Sequence, residues 1–410
     1  MSSHSSQYRD SDRSKNFFAR RLRPRIAAGL IGLSLLAGHA PLVAAQTKVI
    51  GYVPAYRGLR ATVDRVDLGK VTHLNLSFLN PDGNGTIASA GTPVCMRGPN
   101  DANVGPDELR YVVNRAHQSG VKVLVSMAGG GIPPCSGDWA VLLQPARRQT
   151  LIDNLVRFVD DYALDGLDVD IEGELLTAID SAGNYTPFVR SLDQAMNARG
   201  KLLTAATDSY NGGMVPIASL PYFDFVNIMS YDGIYGSRVG SEHSDYAKAV
   251  ADIDTWKKRG LSKAKLVLGV PFYGYGFGSY AGAYTFPQIV NQLGGSPNAD
   301  LIGRACNGCS YVTYNGLPTI RAKTRLALQE GSGVMIWELS QDGTGALSLL
   351  SAIKSEIGGG GTCPAWVSGR NYYTGDIVLY NGVKYIAEHD NPGYIPDVST
   401  YFWEPTDAPC

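Results

Sequence analysis

Residues 164–174 read LDGLDVDIEGE, and this pattern decides the fold. Leu167, Val169 and Ile171 alternate with Asp168, Asp170 and Glu172. Alternation with period two marks a β-strand, whose successive side chains point to opposite faces. The aliphatic face calls for burial, and the acids on the other face stand only ~6.6 Å apart along the strand. Carboxylates this close, in a partly desolvated setting, raise at least one pKa and share a proton. Such a cluster can act as a proton donor, which cleavage of a glycosidic bond requires. Two plainer readings compete, a divalent-cation site built of hard oxygens and a solvated strand face.

Seven further apolar runs accompany this one: KVIGYVP (48–54), HLNLSFL (73–79), KVLVSMA (122–128), LLTAATD (202–208), FVNIMSY (225–231), LVLGVPFY (266–273) and GVMIWEL (333–339). Helix-like amphipathic stretches lie between most of them, among them DELRYVVNRAHQSG, RRQTLIDNLVRFVDDYA and DYAKAVADIDTWKKRG. Strands alternating with helices predict an α/β fold of βαβ units, and eight strands suffice to close a (β/α)8 TIM barrel. The rival, an open doubly wound sheet, lacks a GxGxxG turn after the first strand. In a barrel, Leu167, Val169 and Ile171 face the helices and the acids face the interior. Glu172 then falls at the carboxyl end of its strand, where barrel active sites sit. Residues 274–318 are long for a connection after the seventh strand. They hold FPQIVNQL, a CNGC pair and a hairpin-like YVTYNGLPT, and predict a small insert beside the cleft.

DGLDVDIE (165–172) resembles the DGxDxDxE signature of family 18 glycoside hydrolases, the chitinases and their relatives. SMAGG (126–130) is similar to that family's SxGG motif, with Ala128 in place of the first glycine. MSYD (229–232) matches its MxYD motif, and Trp337 its sugar-stacking tryptophan on the eighth strand. Spacing alone leaves open an ordinary acid and nucleophile pair. The resemblance implies instead a retaining, substrate-assisted mechanism through an oxazolinium ion. On that reading Glu172 is the acid and later the base. Asp170 orients the acetamido group, Tyr231 donates to its oxygen, and Asp232 lines the same subsite. Asp168 supports Asp170 with Ser126 and Tyr52 as donors, and Trp337 stacks on the sugar. Trp139, on a loop after the third strand, is a candidate for a further sugar subsite. Asp165 reads as a turn or capping residue.

Residues 1–45 read as a signal peptide. A basic region with seven cationic and two acidic side chains precedes an uncharged apolar run, IAAGLIGLSLLAG, and then small residues before Gln46. An uncut signal anchor is the alternative. The whole chain carries a formal charge of −1 and this leader +5, which leaves the remainder near −6. A mildly acidic secreted protein is a poor partner for nucleic acid or anionic membranes. All six cysteines follow the leader. Nearest-neighbour pairing gives Cys95–Cys135, Cys306–Cys309 and Cys363–Cys410, one of fifteen connectivities, with half a zinc site as the alternative for CNGC.

The barrel is expected over residues 46–357, a glycine linker over 358–362 and a small all-β module over 363–410. GDIVLYNGVKYIA predicts a hairpin turning at Asn381-Gly382. The tail resembles carbohydrate-binding modules of families 5 and 12, on Trp366, Tyr372, Gly375, Asp376, Val378, Tyr380, Gly382, Tyr385, Ala387 and Trp403. The adjacent tryptophans such modules often carry are absent, and His389-Asp390 stand roughly there. Tyr394, Tyr401 and Phe402 remain as candidates for the ligand face, with Trp366, Tyr385 and Trp403 as core.

The combined expectation is a secreted, monomeric chitinase acting on chitin and chitooligosaccharides, with no metal or organic cofactor indicated. Two alternatives stand beside it, an endo-β-N-acetylglucosaminidase acting on N-glycans and a non-catalytic chitin-binding lectin.

Overall fold

The eight apolar runs pair side by side, all parallel, and close on themselves. In the computed structural model, which describes residues 46–233, 239–357 and 363–406, the barrel strands are β1 (Lys48–Pro54), β2 (His73–Leu79), β3 (Lys122–Gly129), β4 (Gly166–Ile171), β5 (Leu202–Thr207), β6 (Phe225–Ile228), β7 (Leu266–Pro271) and β8 (Gly333–Trp337). Their order around the barrel is the chain order, with β1 closing against β8. The expected (β/α)8 barrel is thus the fold.

Every residue of β4 is buried. Leu167, Val169 and Ile171 join the apolar layer between barrel and helices. A second apolar cluster, including Ile50, Tyr52, Phe225, Tyr231, Val267 and Met335, fills the barrel interior. Helix Pro145–Asp161 shows how the outer layer forms. Proline in its first turn costs no hydrogen bond, and Leu151, Ile152, Leu155, Val156, Phe158 and Val159 make one buried stripe. The connection from β5 to β6 is shorter, a 3-10 turn at Ile217–Tyr222 with Pro221 inside it.

The insert after β7 is a four-stranded antiparallel sheet whose central strands are Tyr273–Phe277 and Tyr311–Thr313. Here one expectation is corrected. YVTYNGLPT is not a hairpin, because Tyr311–Thr313 pairs with Tyr273–Phe277 on one side and Leu301–Gly303 on the other. Gly316 and Pro318 then start the helix Leu317–Glu330 instead of returning the chain as a strand.

Cys95 pairs with Cys135 and Cys306 with Cys309, as expected. The leader, the glycine linker and Cys410, and with it the 363–410 pairing, lie outside the described residues. Among the described residues no helix is long and apolar enough to cross a membrane.

The C-terminal segment holds a three-stranded antiparallel sheet, Ile377–Tyr380, Val383–Ala387 and Trp403–Pro405. Asn381 and Gly382 both have positive φ, 49° and 80°, the pattern a two-residue hairpin turn needs. Tyr372, Val378, Tyr385, Ala387 and Trp403 form its core, with Trp366, Tyr380 and Phe402 packed against it.

Candidate active site

Strand register places the acids before any side chain is considered. On β4, Asp168 lies opposite Ser126 of β3 and Thr204 of β5. Both hydroxyls donate to its carboxylate, Ser126 at 2.8 Å and Thr204 at 2.5 Å. Tyr52 Oη from β1 adds a bond at 2.6 Å, and Asn227 Nδ2 from β6 one at 3.3 Å. Asp168 is fully buried, so desolvation still lifts its pKa despite four donors that favour the charged form.

Asp170, the next acid on that face, is 2% exposed, and its Oδ1 is buried without a hydrogen-bond partner. Burial, then the negative charges of Glu172 and Asp168, push its pKa well above the carboxylate range. A hydrogen bond joins Asp170 to Glu172. Burial and the charge of Asp208 push Glu172 up to about 7, with Asp232 adding to the effect. The pair therefore retains a proton near neutral pH.

These acids open into a cleft of about 380 Å³. Asp170, Glu172, Met229, Tyr231, Asp232 and Trp337 line it, together with Tyr56, Phe78, Asn80, Arg97, Gly130, Gly131 and Pro133. Trp337 stacks on Phe78, with ring centroids 5.7 Å apart and planes at 24°, and meets the edge of Tyr52. The Glu172 carboxyl lies directly over Gly130, where a Cβ would stand 3.1 Å from Oε1. Tyr273 Oη donates to Asp232 at 2.5 Å, and buried His243 places Nδ1 3.6 Å from the same oxygen. Desolvation lowers the His243 pKa, so its ring is neutral around pH 7.

The structure gathers Tyr52, Ser126, Asp168, Asp170, Glu172, Tyr231, Asp232 and Trp337 at one end of the barrel. Trp139 is a correction. It is 1% exposed, and its indole N–H donates to Asn80 Oδ1 at 2.8 Å. The short helix Trp139–Leu142, capped by Asp138, turns it into the apolar layer, so it forms no sugar subsite. Asp165 stays outside the site and ties the start of β3 to the preceding helix, accepting from Val123 N and from His117. Sequence reasoning missed Tyr56, Phe78, Asn80 and Arg97, which stand at strand ends and on loops without a periodic signal. It also missed Thr204 and Asn227, which β-register around Asp168 points to directly.

In the tail, Tyr394, Tyr401 and Phe402 come together with His389. Phe402 lies 4.7 Å from Tyr394 and 5.0 Å from Tyr401, and His389 stacks on Tyr401 at 4.4 Å. Tyr401 is 69% exposed and Tyr394 45%.

A closed parallel barrel with a proton-sharing carboxylate pair at the carboxyl ends of its strands defines an acid–base site on a TM-barrel scaffold. The chain belongs to family 18 of the glycosyl hydrolases, whose model matches residues 48–342. A family 18 chitinase from the chitin utilization locus of Flavobacterium johnsoniae is 32% identical, with a TM-score of 0.64, covering 77% of this chain and 94% of that one. Chitinase A1 of Niallia circulans is 25% identical over 422 residues, and a probable chitinase 10 of Drosophila melanogaster 26% over 308. They align with 77% and 60% of this chain, which spans 59% and 13% of their own lengths.

Proposed function

We propose that this protein is a chitinase that hydrolyses β-1,4-linked N-acetylglucosamine polymers with retention, using the substrate's acetamido group as nucleophile. The observation that carries this reading is Asp170, buried beside the proton-bearing Glu172 with one carboxyl oxygen unpaired. A buried acceptor without a partner is costly, and a bound acetamido N–H would satisfy it.

Glu172 gives its proton to the glycosidic oxygen as the bond from that oxygen to the anomeric carbon breaks. The acetamido carbonyl oxygen bonds to the same carbon and closes an oxazolinium ring. Asp170 aligns the N–H and offsets the positive charge that develops, while Tyr231 donates its hydroxyl to the acetamido oxygen. Water then attacks the anomeric carbon, loses a proton to Glu172, and reopens the ring. Asp168, held by four donors, fixes the strand face without exchanging protons with substrate. Trp337 stacks on the sugar at the cleavage point.

Residues 1–45 direct export of the enzyme, which acts outside the cell as a monomer. The tail is a carbohydrate-binding module of the family 5/12 type, and its ring cluster Tyr394, Tyr401 and Phe402 faces the polymer. The test is incubation of the purified protein and its Glu172→Gln variant with chitin oligosaccharides and with an N-glycoprotein. Oligosaccharide cleavage that disappears in the variant supports the proposal. Glycan release from the glycoprotein, or binding with no turnover by either form, overturns it.

A further inference from the structure

The stretch of chain that carries Tyr231 and Asp232 has no strand ladder to hold it. β6 ends at Ile228, Met229 N still bonds Thr207 O at 2.9 Å, and Asp232 then takes a φ of +56°. Asp168 and Asp170, by contrast, lie in paired strand on β4. Residues 230–233 lean instead on residues 243–244. Ser244 Oγ donates to Ser230 O at 2.7 Å, and Gly233 N donates to His243 O at 2.9 Å. His243 and Ser244 are in turn tied to the insert after β7 and to the helix that follows it. His243 N donates to Thr313 Oγ1 at 3.2 Å, and Asn315 Nδ2 donates to Ser244 O at 2.6 Å. Lys323, on helix Leu317–Glu330, closes the arrangement. Its ammonium donates to Ser244 O and Ser244 Oγ, both at 2.7 Å, and to Asn315 Oδ1 at 2.8 Å.

Lys323 is fully buried, and its three protons all meet oxygens, none of them a carboxylate. A buried cation without an anion beside it costs more than an apolar side chain of the same length would. What the ammonium supplies in return is direction. It has no lone pair to offer, so the Ser244 hydroxyl must accept from it and turn its own proton elsewhere. The place that proton goes is the carbonyl of Ser230, the residue before Tyr231. Ser230, Ser244, Thr313 and Asn315 are all buried, so water does not compete for these bonds. We propose that Lys323 is a positioning residue for the reaction, acting through Ser244 and the Ser230 carbonyl to hold Tyr231 and Asp232 in place at the acetamido subsite. The inference rests on the chitinase reading, in which those two residues line that subsite. The insert and its following helix then do more than stand beside the cleft, since they brace the one part of the site that strand pairing leaves unsupported. A misplacement of about 1 Å in a positioned group costs up to about 10²-fold in rate.

Two variants of the full chain test it. Lys323→Met keeps the length of the side chain without the ammonium, and Ser244→Ala removes the hydroxyl alone. Assays run at pH 6, below the value of about 7 to which burial lowers Lys323, so the wild-type ammonium is charged. Thermal melts check that each variant folds at the assay temperature. On a soluble chitin oligosaccharide kcat is expected to fall about ten- to hundredfold in Lys323→Met and about three- to tenfold in Ser244→Ala, with KM changing less than about twofold. Binding of a thiazoline analogue of the oxazolinium ion should weaken by about the same factors as kcat. Should Lys323→Met fail to fold, Ser244→Ala decides alone. Full kcat in folded Ser244→Ala overturns the proposal, as does a loss of kcat with thiazoline affinity unchanged. A wild type that cleaves no oligosaccharide sinks the chitinase reading alone. The crystal structure of Ser244→Ala then decides, displaced Tyr231 and Asp232 supporting the proposal and unmoved ones overturning it.

Discussion

The carboxyls of Asp170 and Glu172 are hydrogen-bonded to each other, while Asp168, two residues before Asp170, is bonded only to neutral donors. One row of acids is thereby divided into a carboxyl clamped by four donors and a proton-sharing pair. The division sets distinct expectations for the three positions.

Glu172→Gln removes the transferable proton and keeps the shape of the side chain. Turnover on chitin oligosaccharides should fall by about 10²–10⁴ while KM changes little, since general acid catalysis contributes on that scale. Steady-state kinetics on soluble oligomers reads both.

Burial and the charge of Asp208 raise the Glu172 pKa to about 7 in the folded protein, from the 4.5 of a free glutamate. Between those values the native state binds more protons than the unfolded chain, so stability is highest below the lower value and declines as pH rises through the window. Melting temperature should therefore fall between pH 5 and pH 8, and the fall should be smaller in Glu172→Gln. Thermal melts across that range, run on both proteins, give the comparison.

Asp168→Ala orphans four donors at once, from Tyr52, Ser126, Thr204 and Asn227. A loss of about 2–4 kcal/mol is expected, because buried donors left unsatisfied carry their full desolvation cost. Ser126→Ala removes one donor of four and should cost about 1 kcal/mol. Urea unfolding distinguishes the two.

Ala128 holds φ +69°, a left-handed conformation that an L side chain adopts at a cost, next to Gly129 at φ +90°. Ala128→Gly should stabilise the protein by about 0.5–1 kcal/mol, relief of strain outweighing the added freedom of the unfolded chain. An unchanged or lowered midpoint in urea would refute this.

Tyr394 and Tyr401 are the exposed rings of the tail's aromatic cluster. Replacing both with alanine should weaken adsorption to insoluble chitin about three- to tenfold per ring, the scale of one stacking contact, and leave hydrolysis of soluble oligomers intact. Equal loss on both substrates would mean that the cluster is not a ligand face.

How much of this was legible in the sequence depends on periodicity. The strand at 164–174 announced itself because Leu167, Val169 and Ile171 are all needed for the outer apolar layer, and the acids then had only the interior left to face. Asn381-Gly382 was readable because few residue pairs tolerate two positive φ values in succession. Trp139 was misread because a tryptophan on a loop carries no periodic signal of burial, and only Asn80, 59 residues away in the chain, gives its indole a partner. YVTYNGLPT looked like a hairpin because Asn-Gly favours tight turns, yet its strand neighbours come from segments that local pattern cannot reveal. Arg97, Tyr56 and Phe78 reach the cleft by tertiary folding alone.

The Cys95–Cys135 bond joins the loop after β2 to the loop after β3, and Arg97 Nε lies 3.1 Å from Cys135 Sγ. Arg97 and Pro133, which line the cleft, therefore owe their placement to an oxidation step, whereas the strands that hold the acids owe theirs to apolar packing. Quality control of recombinant material follows from this. A preparation made under reducing conditions would keep its barrel strands yet present a slack rim to a long polymer, so thiol titration belongs beside the melting curve in certifying a batch.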